Sequence, residues 1–78
     1  MHSNIERPYP VEYLHPNGDK AKIGFIWGDP DSTSPVGIII WIKDENGYAK
    51  LGEEVGEWPT FGDAMRRGTD LAFRWLSR

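Results

Sequence analysis

Thr60-Phe61-Gly62-Asp63-Ala64-Met65-Arg66-Arg67-Gly68-Thr69-Asp70-Leu71-Ala72-Phe73-Arg74-Trp75-Leu76 is the stretch that decides the fold. With Phe61 at zero and about 100° per residue, Phe61, Ala64, Met65, Gly68, Leu71, Ala72, Trp75 and Leu76 fall in one arc. Asp63, Arg66, Arg67, Asp70 and Arg74 take the opposite arc. An apolar stripe that wide on a single helix needs a sheet to cover it. Thr60 is placed to cap the helix, with Asp63 three residues on as a variant of the capping box. Asp63 suits the positive end of the helix dipole; Arg74 and Arg78 suit the negative end. Asp63/Arg67, Arg66/Asp70 and Asp70/Arg74 are spaced i,i+4, the pattern of a solvated, salt-bridged back. Gly68 costs the helix about 1 kcal/mol against alanine, so its place inside the stripe predicts close approach of helix to sheet. Phe73 lies at about 120° on this wheel, outside the stripe, and is expected to cover the N-terminal tail or else to be exposed.

Upstream of the helix the chain reads as strands separated by turns. Residues 1–8 form a flexible tail before a single domain over 9–78. The first strand covers 11–15; Pro16-Asn17-Gly18 then supplies a type I turn with Gly18 at a bulge. The second strand covers 20–27, with Ala21, Ile23, Phe25 and Trp27 alternating against Lys22, Gly24 and Ile26. A polar loop over 28–35 leads to the third strand, 36–43, which is the most apolar and so the most central. Asp44-Glu45-Asn46-Gly47 carries the Asn-Gly hairpin signal, the fourth strand covers 48–52, and Glu53 to Pro59 is an acidic connector into the helix at 61–76. The expected class is α+β: a three- to four-stranded antiparallel sheet with one C-terminal helix on one face.

Strand parity then predicts what the helix leaves uncovered. Pairing strands two and three with both apolar sets on one side sets Ile23 opposite Ile42, Phe25 opposite Ile40 and Trp27 opposite Ile38. The other face receives Lys22 opposite Lys43, Gly24 opposite Trp41 and Ile26 opposite Ile39, joined by Tyr48, Lys50 and Gly52. The expected interaction surface is therefore Trp41, Ile26, Ile39, Tyr48, Lys22, Lys43 and Lys50. Apolar and aromatic residues ringed by lysine suit a protein partner or a second copy of the chain. The alternative use of the same face is stacking of single-stranded nucleic acid. The plainest alternative is that Trp41 simply lies over Gly24 and shields its backbone, with the lysines solvated.

Composition bounds the remaining possibilities. Seventy-eight residues make one small domain, and ten aromatics help a small core suffice. There is no cysteine, which excludes disulfides and thiolate metal sites and suits a reducing, cytoplasmic setting. The N-terminus lacks the apolar segment of a signal peptide, and the longest apolar run, Ile38 to Ile42, is too short to span a bilayer. The net charge of −3 argues against a dedicated duplex-DNA binder. It divides unevenly: residues 29–57 carry seven acids against Lys43 and Lys50, whereas residues 58–78 carry four arginines against two acids.

The sequence offers no catalytic constellation. His2 lies in the tail, and His15, beside a turn, reads as a surface or hairpin residue with no triad partner. Asp29-Pro30-Asp31-Ser32 lacks the ligand spacing and glycine of a calcium loop, and no glycine-rich phosphate loop is present. No metal or cofactor is expected. A small hydrolase built on Glu53, Glu54 and Glu57 of the connector is a remote third reading.

The string Phe61-x-x-Ala64-x-x-x-Gly68-x-x-x-Ala72-x-x-Trp75-Leu76 resembles the ending of small uncharacterised proteins from Burkholderia-type proteobacteria. In that group a few antiparallel strands precede one helix ending Ala-x-x-Trp-aliphatic. The resemblance covers about the last twenty residues and implies the fold and a bacterial source, with no activity or site. The order of strands and helix is also similar to chromo-like peptide-binding domains, but these aromatics do not fall at cage positions. It is similar as well to the antitoxin half of small toxin–antitoxin pairs, whose Pro-Asp-Leu-Pro-Gly segment is absent here.

Overall fold

The computed structural model describes residues 10–28 and 34–77. The expected tail over 1–8, His2 and the Asp29–Thr33 part of the polar loop lie outside them. Four antiparallel strands, β1 (Val11–Leu14), β2 (Lys20–Ile26), β3 (Gly37–Asp44) and β4 (Gly47–Val55), form one sheet in the order β1-β2-β3-β4. The helix α1 (Phe61–Leu76) packs on one face, over β2 and β3. The class is α+β, and the helix has the bounds its stripe predicts. None of the described helices is long and apolar enough to cross a membrane.

Both hairpins turn in the same way. Gly18 and Gly47 take φ of +97° and +116°, and no other type of residue has positive φ among those described. In each turn an Asx side chain accepts from a backbone N–H two residues on: Asn17 Oδ1 from Asp19 and Asp44 Oδ1 from Asn46, both at 2.8 Å. Asn46 therefore does not enter the left-handed region; Glu45-Asn46 make the corner and Gly47 takes the positive φ after it.

The face each residue takes on β2 and β3 is as parity predicts, but the register is two residues away. Ile23 lies opposite Ile40, Phe25 opposite Ile38 and Ala21 opposite Ile42. On the other face Lys22 lies opposite Trp41, Gly24 opposite Ile39 and Ile26 opposite Gly37. A two-residue slip preserves every face, so hydrophobic alternation cannot distinguish the two registers. Glycine placement separates them: Ile26 lies over Gly37, where an added Cβ would meet its Cδ1 at 2.8 Å, in place of the expected Ile39, while the Trp41 ring lies near Gly24 in either register. Trp27 leaves the sheet after β2 and stacks on Phe61, ring centroids 6.2 Å apart, while Phe25 meets Phe61 edge-on at 4.8 Å.

The fourth strand departs further from expectation. It runs to Val55, so Glu53 and Glu54 are strand residues and not connector. The register shifts between Ile40 and Trp41: Trp41 pairs with Lys50 but Ile40 with Gly52, leaving Leu51 as the extra residue of a bulge. Tyr48 and Lys50 stay on the face away from the helix, as expected, while Gly52 moves to the helix face beneath Trp75. An added Cβ on Gly52 would lie 3.0 Å from the Trp75 ring.

Ala21, Ile23, Ile38 and Ile40 meet Leu71, Ala72 and Leu76 in the core. Gly68 sits against the sheet so closely that an added Cβ would lie 2.6 Å from Ile23 Cγ2. The expected cap is present, with Thr60 Oγ1 accepting from the Asp63 N–H at 3.1 Å. Asp70 pairs with Arg74 at 3.2 Å, but Arg67 does not pair with Asp63. It donates twice to Glu54 of β4, at 2.7 Å each, and once to Asp70 at 3.0 Å, bridging helix to sheet.

His15, expected on the surface or in the hairpin, is a hairpin residue, bonded to Asp19 and Gly18, but is only 6% exposed. Its Nδ1 accepts from the Asn17 N–H at 3.0 Å, and its Nε2 lies 2.8 Å from Ser77 Oγ and 3.2 Å from the Phe73 carbonyl. Asn17 Nδ2 donates to the Leu76 carbonyl at 3.1 Å. The first hairpin thus gives the Leu76 carbonyl at the C-terminus of α1 a partner and adds a contact to the Phe73 carbonyl, which already accepts from the Ser77 N–H. Phe73 is about half exposed and stacks on the His15 ring at 5.0 Å, which accounts for its place outside the stripe.

Candidate interaction surface

The helix covers one sheet face. In register order, the opposite face presents Leu14, Lys20, Lys43 and Tyr48 in one row and Glu12, Lys22, Trp41 and Lys50 in the next. Gly24, Ile39 and Glu53 follow, then Ile26, Gly37 and Val55. All seven residues expected on this surface, Trp41, Ile26, Ile39, Tyr48, Lys22, Lys43 and Lys50, belong to it. The register joins Leu14, Lys20, Glu12, Glu53 and Val55 to them. Val55 is 76% exposed and Leu14 65%.

The face has two different ends. Toward the 26–37 end, Ile26, Ile39 and Trp41 are half-buried, with Ile26 packed over Gly37 and Trp41 over Gly24. Trp41 does shield Gly24, as the plainest reading of the sequence holds. Trp41 stays half-buried there, and part of it is left at the surface.

Toward the hairpin ends, lysines gather about Tyr48. Lys22 Nζ sits 4.4 Å from the centre of the Tyr48 ring and Lys43 Nζ 5.4 Å from it, both within cation–π range. Tyr48, Glu12, Leu14 and Lys20 help to line a shallow depression at this corner. Lys50 forms an ion pair with Glu53. The described face thus carries four lysines against two glutamates in a chain of net charge −3.

The connector carboxylates do not converge. Glu53 faces away from the helix toward Lys50, Glu54 faces the helix and Arg67, and Glu57 is exposed beyond the strand. The Arg67 hydrogen bonds hold the Glu54 carboxyl below its ordinary range, against a smaller opposing effect of burial. This is a structural ion pair, and it removes the geometric basis for a hydrolase built on the three glutamates. Among the described residues no group of His, Asp and Glu is arranged to hold a metal ion.

One feature of the surface escapes a reading by alternation. The bulge at Leu51 reverses the parity of the rest of β4, so that Glu53 and Val55, not Gly52 and Glu54, reach the open face. Lys20 and Leu14 follow directly from the first hairpin's parity and are legible from Pro16-Asn17-Gly18 alone. No protein-family model, curated protein or solved structure matches the chain.

Proposed function

We propose that the protein is a non-catalytic interaction module whose open sheet face docks an acidic segment of a partner protein. The observation that supports this most is charge placement: an acidic chain gathers four lysines on one face, around Tyr48 and beside the apolar strip of Trp41, Ile39 and Ile26. A complementary partner carries acidic residues about an apolar centre. Its apolar side chains cover Trp41 and Ile39, and its carboxylates meet Lys20, Lys22 and Lys43.

Stacking of single-stranded nucleic acid is the competing use of the same face. It is disfavoured by the placement of Lys22 and Lys43 against Tyr48, and by the inner face of Trp41 being spent on Gly24. Calorimetric titration separates the two. An extended peptide alternating Glu with Leu and Phe binds the chain, and the K22E/K43E variant binds it about tenfold more weakly with its circular dichroism unchanged. Tighter, salt-sensitive binding of oligo-dT points to nucleic acid instead. Equal binding of the peptide by wild type and K22E/K43E overturns the proposal.

A further inference from the structure

The exposed edge of β4 carries a second inference, which rests on strand pairing and not on what docks on the open face. Among the described residues no strand pairs with the outer edge of the nine-residue β4, and native chains usually blunt such an edge with charge or with a bulge. Strand β4 has both: Lys50, Glu53 and Glu54, and the bulge at Leu51. The same two features make this edge complementary to itself.

Residues directly opposite one another in an antiparallel pair place their side chains on the same face. A regular strand therefore meets its own copy only about a two-fold axis passing through a residue. An axis between two residues would set each side chain against one from the opposite face. The bulge reverses that rule. Tyr48 and Lys50 before it, and Glu53 and Val55 after it, all lie on the open face. A two-fold axis between Leu51 and Gly52 then matches faces throughout. Lys50 falls opposite the second copy's Glu53, Tyr48 opposite its Val55 and Ala49 opposite its Glu54.

Each of these pairs occurs twice by symmetry. Opposite charges directly across a sheet are favourable, as is an aromatic beside a β-branched residue. The charges and the bulge that repel an unrelated strand thus fit a second copy, which gives selectivity at the edge.

We infer that the chain forms a two-fold dimer by antiparallel pairing of β4 with β4 of a second copy, centred between Leu51 and Gly52. The two sheets become one of eight strands, both helices lie on one side and both open faces on the other. The docking faces then stand side by side for a bivalent partner.

Sedimentation equilibrium of the full chain tests this. The wild type sediments at twice its 8.9 kDa monomer mass. K50E sets a carboxylate against the second copy's Glu53 and raises the dissociation constant by about tenfold or more. E53K does the same from the other side, and the K50E/E53K swap restores the dimer. Far-UV circular dichroism shows that each single variant keeps its fold. W41A, on the open face, leaves the dimer intact. A wild type that stays monomeric at millimolar concentration overturns the inference. So does a dimer unaffected by K50E and E53K, a swap that fails to restore pairing, or a dimer dissolved by W41A. Failure of peptide binding leaves this result untouched, because sedimentation reads the mass of the free chain with no peptide present, and K22E/K43E changes neither Lys50 nor Glu53.

Discussion

Gly68→Ala is expected to destabilise the protein although it removes a poor helix former. On propensity alone the substitution gains about 1 kcal/mol in a helix interior. The new Cβ, however, would stand 2.6 Å from Ile23 Cγ2 and 3.4 Å from Ile38 Cγ2. Ile23 is 1% exposed and Ile38 fully buried, so neither has space to retreat. The helix must lift from the sheet or the isoleucines must leave their rotamers, and such overpacking costs about 1–3 kcal/mol. The net is a loss of up to about 2 kcal/mol. For a domain of this size that lowers the Tm by roughly 4–8 °C per kcal/mol. Gly62→Ala in the same helix is the internal control. An added Cβ there meets only Thr60 Oγ1, at 3.6 Å, so the propensity gain should survive. Urea unfolding at one fixed protein concentration, followed by circular dichroism, should rank the midpoints G62A, wild type, G68A from highest to lowest. If G68A is stabilised as much as G62A, the helix does not approach the sheet as described and the basis for the sheet's division into two faces is lost.

Three further outcomes follow from the same contacts. His15→Ala abandons the Asn17 N–H, Ser77 Oγ and the Phe73 ring together, and should cost about 1–3 kcal/mol in urea unfolding, with faster amide exchange at Ser77 than in the wild type. Glu54, whose carboxyl is held below its ordinary range by Arg67, stabilises the fold at and above neutral pH; that contribution is lost as pH falls through the lowered value, so E54Q should have a lower Tm at neutral pH and a shallower decline in acid, read from melting curves across pH. Gly24→Ala would put a Cβ 2.6 Å from Trp41 Cη2 and closer still to its neighbour, so the indole must lift from the sheet, and its Nε1–H resonance should shift while those of the other tryptophans stay in place.

The sequence expresses the helix most completely, because its cap, stripe and charged back are local and agree with one another. The two faces of β2 and β3 are legible for the same reason: alternation is local. Register is not, since a slip of two residues keeps every face. What distinguishes the observed register is the fit of Ile26 over Gly37, between residues on different strands. The bulge at Leu51 leaves no mark in the alternation, and it moves Gly52 under Trp75 and Glu54 toward Arg67. His15 shows the limit most clearly. Beside a Pro-Asn-Gly turn it reads as a surface or hairpin residue, yet its partners Phe73 and Ser77 lie 58 and 62 residues away. Of the candidate surface, the parity of the first three strands yields Trp41, Ile26, Ile39, Lys22 and Lys43, while Val55 and Glu53 require the bulge.

The central claim, that the face opposite the helix is the docking surface, is tested most directly by mapping ¹⁵N–¹H shifts as the Glu-Leu-Phe peptide is added to the labelled chain. The account predicts that the Trp41 indole and the amides of Lys22, Ile39, Lys43 and Tyr48 move together and saturate at one peptide concentration, while Arg66, Thr69 and Phe73 on the outer side of α1 stay fixed. Shifts confined to α1, or spread evenly over the chain, would contradict it.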